Sequence, residues 1–382
     1  MTTEHSGKKI VAVTVVLFVL VVSGLLASAG ALRRAREADL PPPLPAPPAP
    51  APTAGDTDFS YHGPVFTGFV EDSYRAGRGR DARGGAGAEE FYQWIERAYG
   101  KAGVYPKGME MLTLEGALAE QRKELAAITD PTKRTAAELE LAAWLHRLTK
   151  RILPNFSLEQ GFEFRYAVRY LERQCLLQSV LIAGLLQGMG ADAGVVMVFR
   201  NQNGEESNLG HVAAVLRLSN GRDLLIDASD PEPFMRHRGV FARANGYRFL
   251  SPVYEKDVPQ INAYRYVSGK GQAKPREVKL LDAAYVRSQF WYYRGEREPG
   301  GAIASPTTPE GLQASARDLE AAVHANAWNP LATYMLGRVY LKQGERAKAR
   351  ETLTRAHALY AADGLVPPGP KQALAEARRR SR

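Results

Sequence analysis

Cys175-Leu176-Leu177-Gln178-Ser179-Val180-Leu181-Ile182-Ala183-Gly184-Leu185-Leu186-Gln187-Gly188-Met189 is apolar around nearly the whole circumference of a helix. A helix without a polar stripe is buried on most sides, so this segment predicts the centre of a core. It continues a helical reading that begins near Arg165. Immediately beyond it the periodicity changes. Gly194 to Phe199 is short and β-branched and reads as a strand; His211 to Leu218 is a second and Asp223 to Asp227 a third. Between the last two, Ser219-Asn220-Gly221 supplies hairpin turn chemistry. A buried helix followed by antiparallel strands predicts an α+β domain.

The same stretch carries the candidate chemistry. Cys175 falls at or near the start of the buried helix, where about half a positive charge and unpaired N–H groups lower a thiol pKa and favour the thiolate. A thiolate nucleophile needs a base that takes a proton near neutral pH, and His211 opens the next-but-one strand. An imidazole needs a third group to fix its tautomer and orientation, and Asp227 ends the following strand. Register decides whether the last two meet. A two-residue Asn220-Gly221 turn would pair Asp227 with Ala214 and place it on the opposite face from His211. A three-residue Ser219-Asn220-Gly221 loop, with Gly221 at positive φ, pairs Asp227 with Ala213 and makes His211 and Asp227 diagonal neighbours on one face. It also sets Arg217 opposite Asp223 and Leu216 opposite Leu224, so the three-residue loop is expected. Taken singly, Cys175 reads as a small core residue, His211 as a surface residue and Asp227 as a turn cap. Their order and spacing favour the catalytic reading. His237, flanked by Arg236 and Arg238, reads as loop and receives no role.

From about Phe156 to Pro231, about a fifth of the chain, the sequence resembles the transglutaminase-like superfamily, the papain-related cysteine enzymes. The matching pieces are Cys175 heading the helix, Gly188-Met189-Gly190-Ala191-Asp192-Ala193 leading into a strand, Gly210-His211-Val212, and Leu225-Ile226-Asp227-Ala228-Ser229-Asp230-Pro231. The resemblance implies a papain/transglutaminase-like core, a Cys-bearing helix packed on an antiparallel sheet. It further implies Cys175 as nucleophile, His211 as base and Asp227 as orienter. Gln174 replaces the small residue usual before the cysteine, Ala213 an aromatic after the histidine, and the Trp common before the Asp segment is missing. Oxyanion donors would come from the Cys175 N–H and the Gln174 or Gln160 amide.

Upstream, Ile10 to Leu32 is a run of 23 uncharged, mostly aliphatic residues, about 34 Å as a helix and long enough to cross a bilayer. It is favoured as an uncleaved signal anchor over a cleavable signal peptide, despite the small-x-small Ala27-Ser28-Ala29. Pro41-Pro42-Pro43-Leu44-Pro45 and further prolines to Pro52 form a stiff spacer, so the soluble part is expected outside the cytoplasm, in a periplasmic setting. Residues 54–88 are rich in Gly, Arg and Asp, and Gly77 to Gly87 reads as flexible loop; the Gly77/Gly79/Gly84 spacing lacks the preceding strand of a dinucleotide fingerprint. Helices follow from Glu89, over about 114–128, and from Asp130-Pro131 to about Leu153.

Downstream of Pro231 the chain reads as irregular, Tyr- and Pro-rich, to about Pro309. Then Asn329-Pro330-Leu331-Ala332-Thr333-Tyr334-Met335-Leu336-Gly337-Arg338-Val339-Tyr340, continuing to Gly344, Ala347 and Ala356, resembles a tetratricopeptide repeat preceded by a degenerate helix at about 310–326. So short an array cannot bury its own faces and must dock on the main domain or on a protein partner.

These readings divide the 382 residues into an anchor (1–35), a linker (36–88), a helical subdomain (89–155), a catalytic core (156–308) and a helical tail (309–382). Of the net charge of +9, the first 39 residues carry +2 and the last 12 carry +4. The basicity thus belongs to the termini, and no nucleic-acid partner is expected. One cysteine excludes an internal disulfide, and no metal or other cofactor is expected. The function expected is that of a membrane-anchored thiol hydrolase or acyltransferase acting on amide bonds of proteins or peptides. The alternative is a catalytically degenerate scaffold that binds partners through its helical repeats.

Overall fold

The computed structural model describes residues 57–77, 87–269, 271–362 and 364–379. The apolar run 10–32 and the proline-rich spacer lie outside them. Among the described residues no helix is long and apolar enough to cross a membrane.

Helix α1 (Pro64–Gly77) falls within the segment expected to be linker. Phe66, Phe69, Val70 and Ser73 recur at i, i+3, i+4 and i+7 and are fully buried, a short amphipathic signal hidden among glycines. Helix α2 (Ala88–Ala102) buries Phe91, Trp94, Ile95 and Tyr99. Thr113 caps α3 (Leu114–Ala127). Asp130 caps α4 (Pro131–Ile152) by accepting from the Thr132 and Lys133 N–H groups, both at 2.9 Å. These three helices lie where their caps and periodicity predict them.

The helix expected from Arg165 to Gly190 is interrupted. Strand β1 (Asn155–Phe156) is followed by α5 (Phe164–Tyr170), β2 (Glu172–Arg173) and α6 (Cys175–Gly188). Leu171 takes a left-handed conformation, φ 56°, and Glu172–Arg173 pairs in parallel with Asn155–Phe156. The Arg173 guanidinium also bonds the Leu153 carbonyl. The break gives Cys175 a true helix N-terminus, capped by the Gln174 side chain on the Leu176 N–H. Every residue from Cys175 to Leu186 is buried.

The expectation of a papain/transglutaminase-like core is corrected by the structure: the Cys helix does lie on antiparallel strands, but those strands close into a barrel, while the expected N-terminal transmembrane helix lies outside the described residues. Strands β3 (Asp192–Arg200), β4 (Glu206–Arg217), β5 (Asp223–Ile226), β6 (Gly239–Arg243), β7 (Tyr247–Tyr254) and β8 (Gln260–Tyr266) run in the order β5-β4-β3-β6-β7-β8, all antiparallel. Short β9 (Gln272–Ala273) extends β8. The sheet closes on itself: β5 pairs with β8 through Asp223–Ile261 and Leu224–Gln260. The core is therefore a six-stranded antiparallel barrel, and closure removes both edges of the sheet. Three of the six strands come from the segment expected to be irregular. Their alternation is short and interrupted by Pro252 and by a register shift at Val253/Tyr254.

The barrel interior is mostly apolar, built from alternate residues such as Val196, Val198, Ala213, Val215, Leu225, Val240, Ala242 and Leu250, with the buried Asp223–Tyr264 pair among them. The opposite faces of the strands, including Val195, Met197, Val212, Ala214 and Leu216, join the larger core shared with the helices. Helix α6 packs on the outer faces of β3 and β4.

Beyond the barrel the chain continues through α7 (Ala283–Glu296), α8 (Pro309–Ala325), α9 (Pro330–Gln343), α10 (Arg346–Ala361) and α11 (Pro368–Arg379). Gly337 is needed where α9 meets α10, since a Cβ there would stand 2.6 Å from Leu353 Cγ. Of the two dockings expected for the helical tail, the structure shows the one on the main domain. Asn326 Nδ2 donates to Tyr247 Oη at 2.6 Å, Ser288 Oγ donates to the Ala322 carbonyl at 2.7 Å, and Tyr360 stacks on Phe249. Its apolar faces finish the main core.

Candidate active site

The hairpin joining β4 to β5 has the three-residue loop. Arg217 pairs with Asp223, Leu216 with Leu224, Val215 with Leu225 and Ala214 with Ile226. Leu218 N–H bonds the Arg222 carbonyl across the loop, and Gly221 has φ 83°. By the alternation of a strand, His211 continues the inward row of Ala213 and Val215, and Asp227 that of Asp223 and Leu225. His211 Nε2 and Asp227 Oδ2 are 2.6 Å apart. Gly210 lets the chain reach that position: its φ is 73°, and a Cβ would meet Met197 Cε at 2.7 Å and Leu331 Cδ2 at 2.9 Å.

Asp227 is fully buried and its acceptors are all used. Oδ2 receives His211 Nε2 and also His237 Nε2 at 2.9 Å, while Oδ1 receives the Ser229 N–H at 2.9 Å. The loop after it is held by His146 and Lys150, which reach the Asp230 carbonyl at 3.1 and 2.7 Å. With Nε2 committed to the carboxylate, Nδ1 is the ring atom left for the cysteine. His211 is near enough to Cys175 for each group to shift the other's titration. On its other side Sγ lies 3.6 Å from Tyr293 Oη, on α7. Cys175 is 5 % exposed and the His211 side chain 24 % exposed, so water reaches the ring while Tyr293 covers the sulfur.

The charges follow from these contacts. Burial alone would push the Cys175 thiol up. The His211 charge, hydrogen bonds from His211 and Tyr293, and the Val212 backbone outweigh it and hold the thiol below its ordinary value. Burial alone would push the His211 ring down, but the Cys175 thiolate and Asp227 raise it well above its ordinary value. Burial alone would raise the Asp227 carboxyl too; hydrogen bonds from His211 and His237 hold it far below the usual carboxylate range. The contacts thus shift all three groups toward their charged forms, thiolate, imidazolium and carboxylate.

The structure thus brings Cys175, His211 and Asp227 together, and it adds two residues that the sequence reading passed over. His237 is buried on Asp227 while Arg236 and Arg238 point outward, an alternation that was the available signal. Tyr293 lies 118 residues from Cys175, and nothing local marks it. Of the expected oxyanion donors, the Gln174 side chain is engaged by the Leu176 N–H and by Tyr293. His211, Asp227 and His237 are close enough to be weighed as metal ligands. However, 2.6 Å between His211 Nε2 and Asp227 Oδ2 is a hydrogen-bond distance, shorter than the roughly 3.4 Å separating two ligand atoms on a tetrahedral zinc. As arranged, the three form a hydrogen-bonded cluster around one carboxylate.

Comparison with family models, with curated proteins and with solved structures finds no match to this chain. The site's own geometry is therefore the ground for a functional reading.

Proposed function

We propose that the protein is a thiol hydrolase or acyltransferase acting on amide bonds of proteins or peptides through Cys175, with the catalytic residues arranged as in transglutaminase-like enzymes. The observation that carries this reading is the 2.6 Å contact of the His211 ring with the buried Asp227 carboxylate, beside a cysteine at a helix N-terminus whose thiol the His211 charge lowers. The Cys175 thiolate attacks the amide carbon and an S–C bond forms. The His211 imidazolium gives its proton to the leaving nitrogen as the C–N bond breaks, leaving a thioester on Cys175. Water or an amine then attacks that thioester. His211 takes its proton, the S–C bond breaks, and the thiolate returns. Asp227 stays ionised throughout and keeps the ring aligned, and His237 positions Asp227. Tyr293 has its hydroxyl held well above the ordinary tyrosine range by burial and by the adjacent Cys175, so it remains an O–H donor beside the sulfur.

The test is interception of the thioester. Incubated with unfolded polypeptides and hydroxylamine, the protein is expected to produce hydroxamates, and Cys175→Ala to produce none. Hydroxamate formation that survives in Cys175→Ala would overturn the reading. So would a Cys175 that alkylates no faster than in the denatured chain; what would remain is a scaffold engaging protein partners.

A further inference from the structure

Separated from the sulfur by the Phe162 and Tyr293 rings lies a cleft of about 460 Å³, between the loop before α5, the C-terminal end of α7 and the face of α8. That volume falls within the range of ligand pockets. Phe162 connects it to Cys175. The Phe162 ring lines the cleft and stacks on Tyr293, with centroids 5.5 Å apart, and Tyr293 Oη lies 3.6 Å from Sγ.

Four guanidinium groups, those of Arg165, Arg294, Arg297 and Arg317, stand in this wall. Two of them are stacked on aromatic rings: Arg294 over Trp291 at 4.6 Å and Arg165 over Tyr166 at 4.5 Å. A guanidinium over a ring has its orientation restricted, and because the Arg294 fork is already bonded to Glu163, Arg165 and Arg317 are the groups left to meet an incoming carboxylate. The carboxylates of the wall are already engaged within the protein. Glu163 takes Arg294 through two bonds of 2.7 and 3.1 Å, Glu159 lies 3.7 Å from Arg297, and Glu298 and Asp318 also have partners. Donors, by contrast, are in excess: Arg294 Nη1 and Arg165 Nε have no hydrogen-bond partner among the described residues.

We infer that this cleft binds a carboxylate-bearing segment of the polypeptide substrate. It holds that segment against Arg165 and Arg317 while the neighbouring amide reaches Cys175 past the Phe162–Tyr293 pair. This assignment rests on the proposed thiol chemistry for the word substrate, and on the cleft alone for binding.

The experiment is a calorimetric titration of the full-length chain with two end-blocked tetrapeptides, tetraglutamate and the isosteric, neutral tetraglutamine. Alongside it runs the iodoacetamide labelling rate of Cys175. The acidic peptide is expected to bind at least about tenfold more tightly, by about 1.4 kcal/mol, with the preference weakening as salt rises. The double variant Arg165→Gln/Arg317→Gln is expected to lose that preference. The single variant at Arg317, an exposed position, is expected to lose part of it. Equal binding of the two peptides, or a preference that survives in the double variant, would overturn the assignment. The two readings fail separately. Rapid labelling without peptide discrimination removes the cleft and leaves the triad, whereas discrimination with a Cys175 as slow as in the denatured chain leaves the cleft as a binding site and removes the triad.

Discussion

His237 and His211 share a single oxygen: both donate from Nε2 to Asp227 Oδ2, at 2.9 and 2.6 Å. One histidine faces the thiol and the other faces nothing reactive, so the second donor serves the carboxylate. Its backbone is fixed in turn, since Tyr254 Oη donates to the His237 carbonyl at 2.7 Å. A hydrogen bond to a buried charge is worth about 1.5–3 kcal/mol. His237→Ala is therefore expected to lose about 2 kcal/mol of stability in urea unfolding. It is also expected to slow Cys175 alkylation at pH 6, as the carboxylate loses its fixed orientation. His237→Gln, which keeps a side-chain N–H donor, is expected to restore the alkylation rate. Identical alkylation in wild type and His237→Ala would reduce the residue to packing.

Tyr293 makes two opposed contributions. Its hydroxyl stabilises the thiolate, and its ring covers the sulfur. Removing only the hydroxyl separates them. Tyr293→Phe is expected to move the Cys175 titration upward and to slow alkylation at pH 6 about tenfold, the equivalent of one hydrogen bond of ~1.4 kcal/mol to the thiolate. An unchanged rate at pH 6, followed by stopped-flow labelling, would show that the 3.6 Å contact carries no such energy.

Inside the barrel, Asp223 offers a pH test independent of the cysteine. Burial pushes its carboxyl up to about 6, only partly offset by Arg217 and by the Tyr264 hydroxyl at 2.7 Å. With a folded value above the unfolded ~3.9, the native state binds the extra proton between about pH 4 and 6, so stability falls as pH rises through that window. Measured against Asp223→Asn, the wild type is expected to lose up to about 3 kcal/mol between pH 4 and pH 7. A flat difference would mean that the buried carboxylate is fully compensated by Arg217.

What the sequence disclosed was local. The cap at Asp130-Pro131, the predominantly apolar run of residues 176–186 and the three-residue loop at Ser219-Asn220-Gly221 each depend on neighbours in the chain, and each reading matches the structure. The register was legible because a one-residue slip would have turned Asp227 away from His211. What stayed hidden was non-local. Barrel closure depends on Asp223 meeting Ile261, a pairing no local pattern encodes. Tyr293 reaches Cys175 only because α7 packs over α6's N-terminus, and the expected long helix gave no sign of its break at Leu171. His237 was masked by the two arginines that flank it.

The most direct test is the pH dependence of Cys175 alkylation with iodoacetamide, followed by mass spectrometry on the native and the urea-unfolded chain. A free thiol with a pKa of about 8.5 is about 0.3 % thiolate at pH 6. A Cys175 thiolate paired with the His211 imidazolium should still react at pH 6 at more than ten times the unfolded rate, and His211→Ala should abolish that excess. A native rate that merely tracks the unfolded chain across pH 5 to 9 would contradict the ion pair, and with it the proposed chemistry.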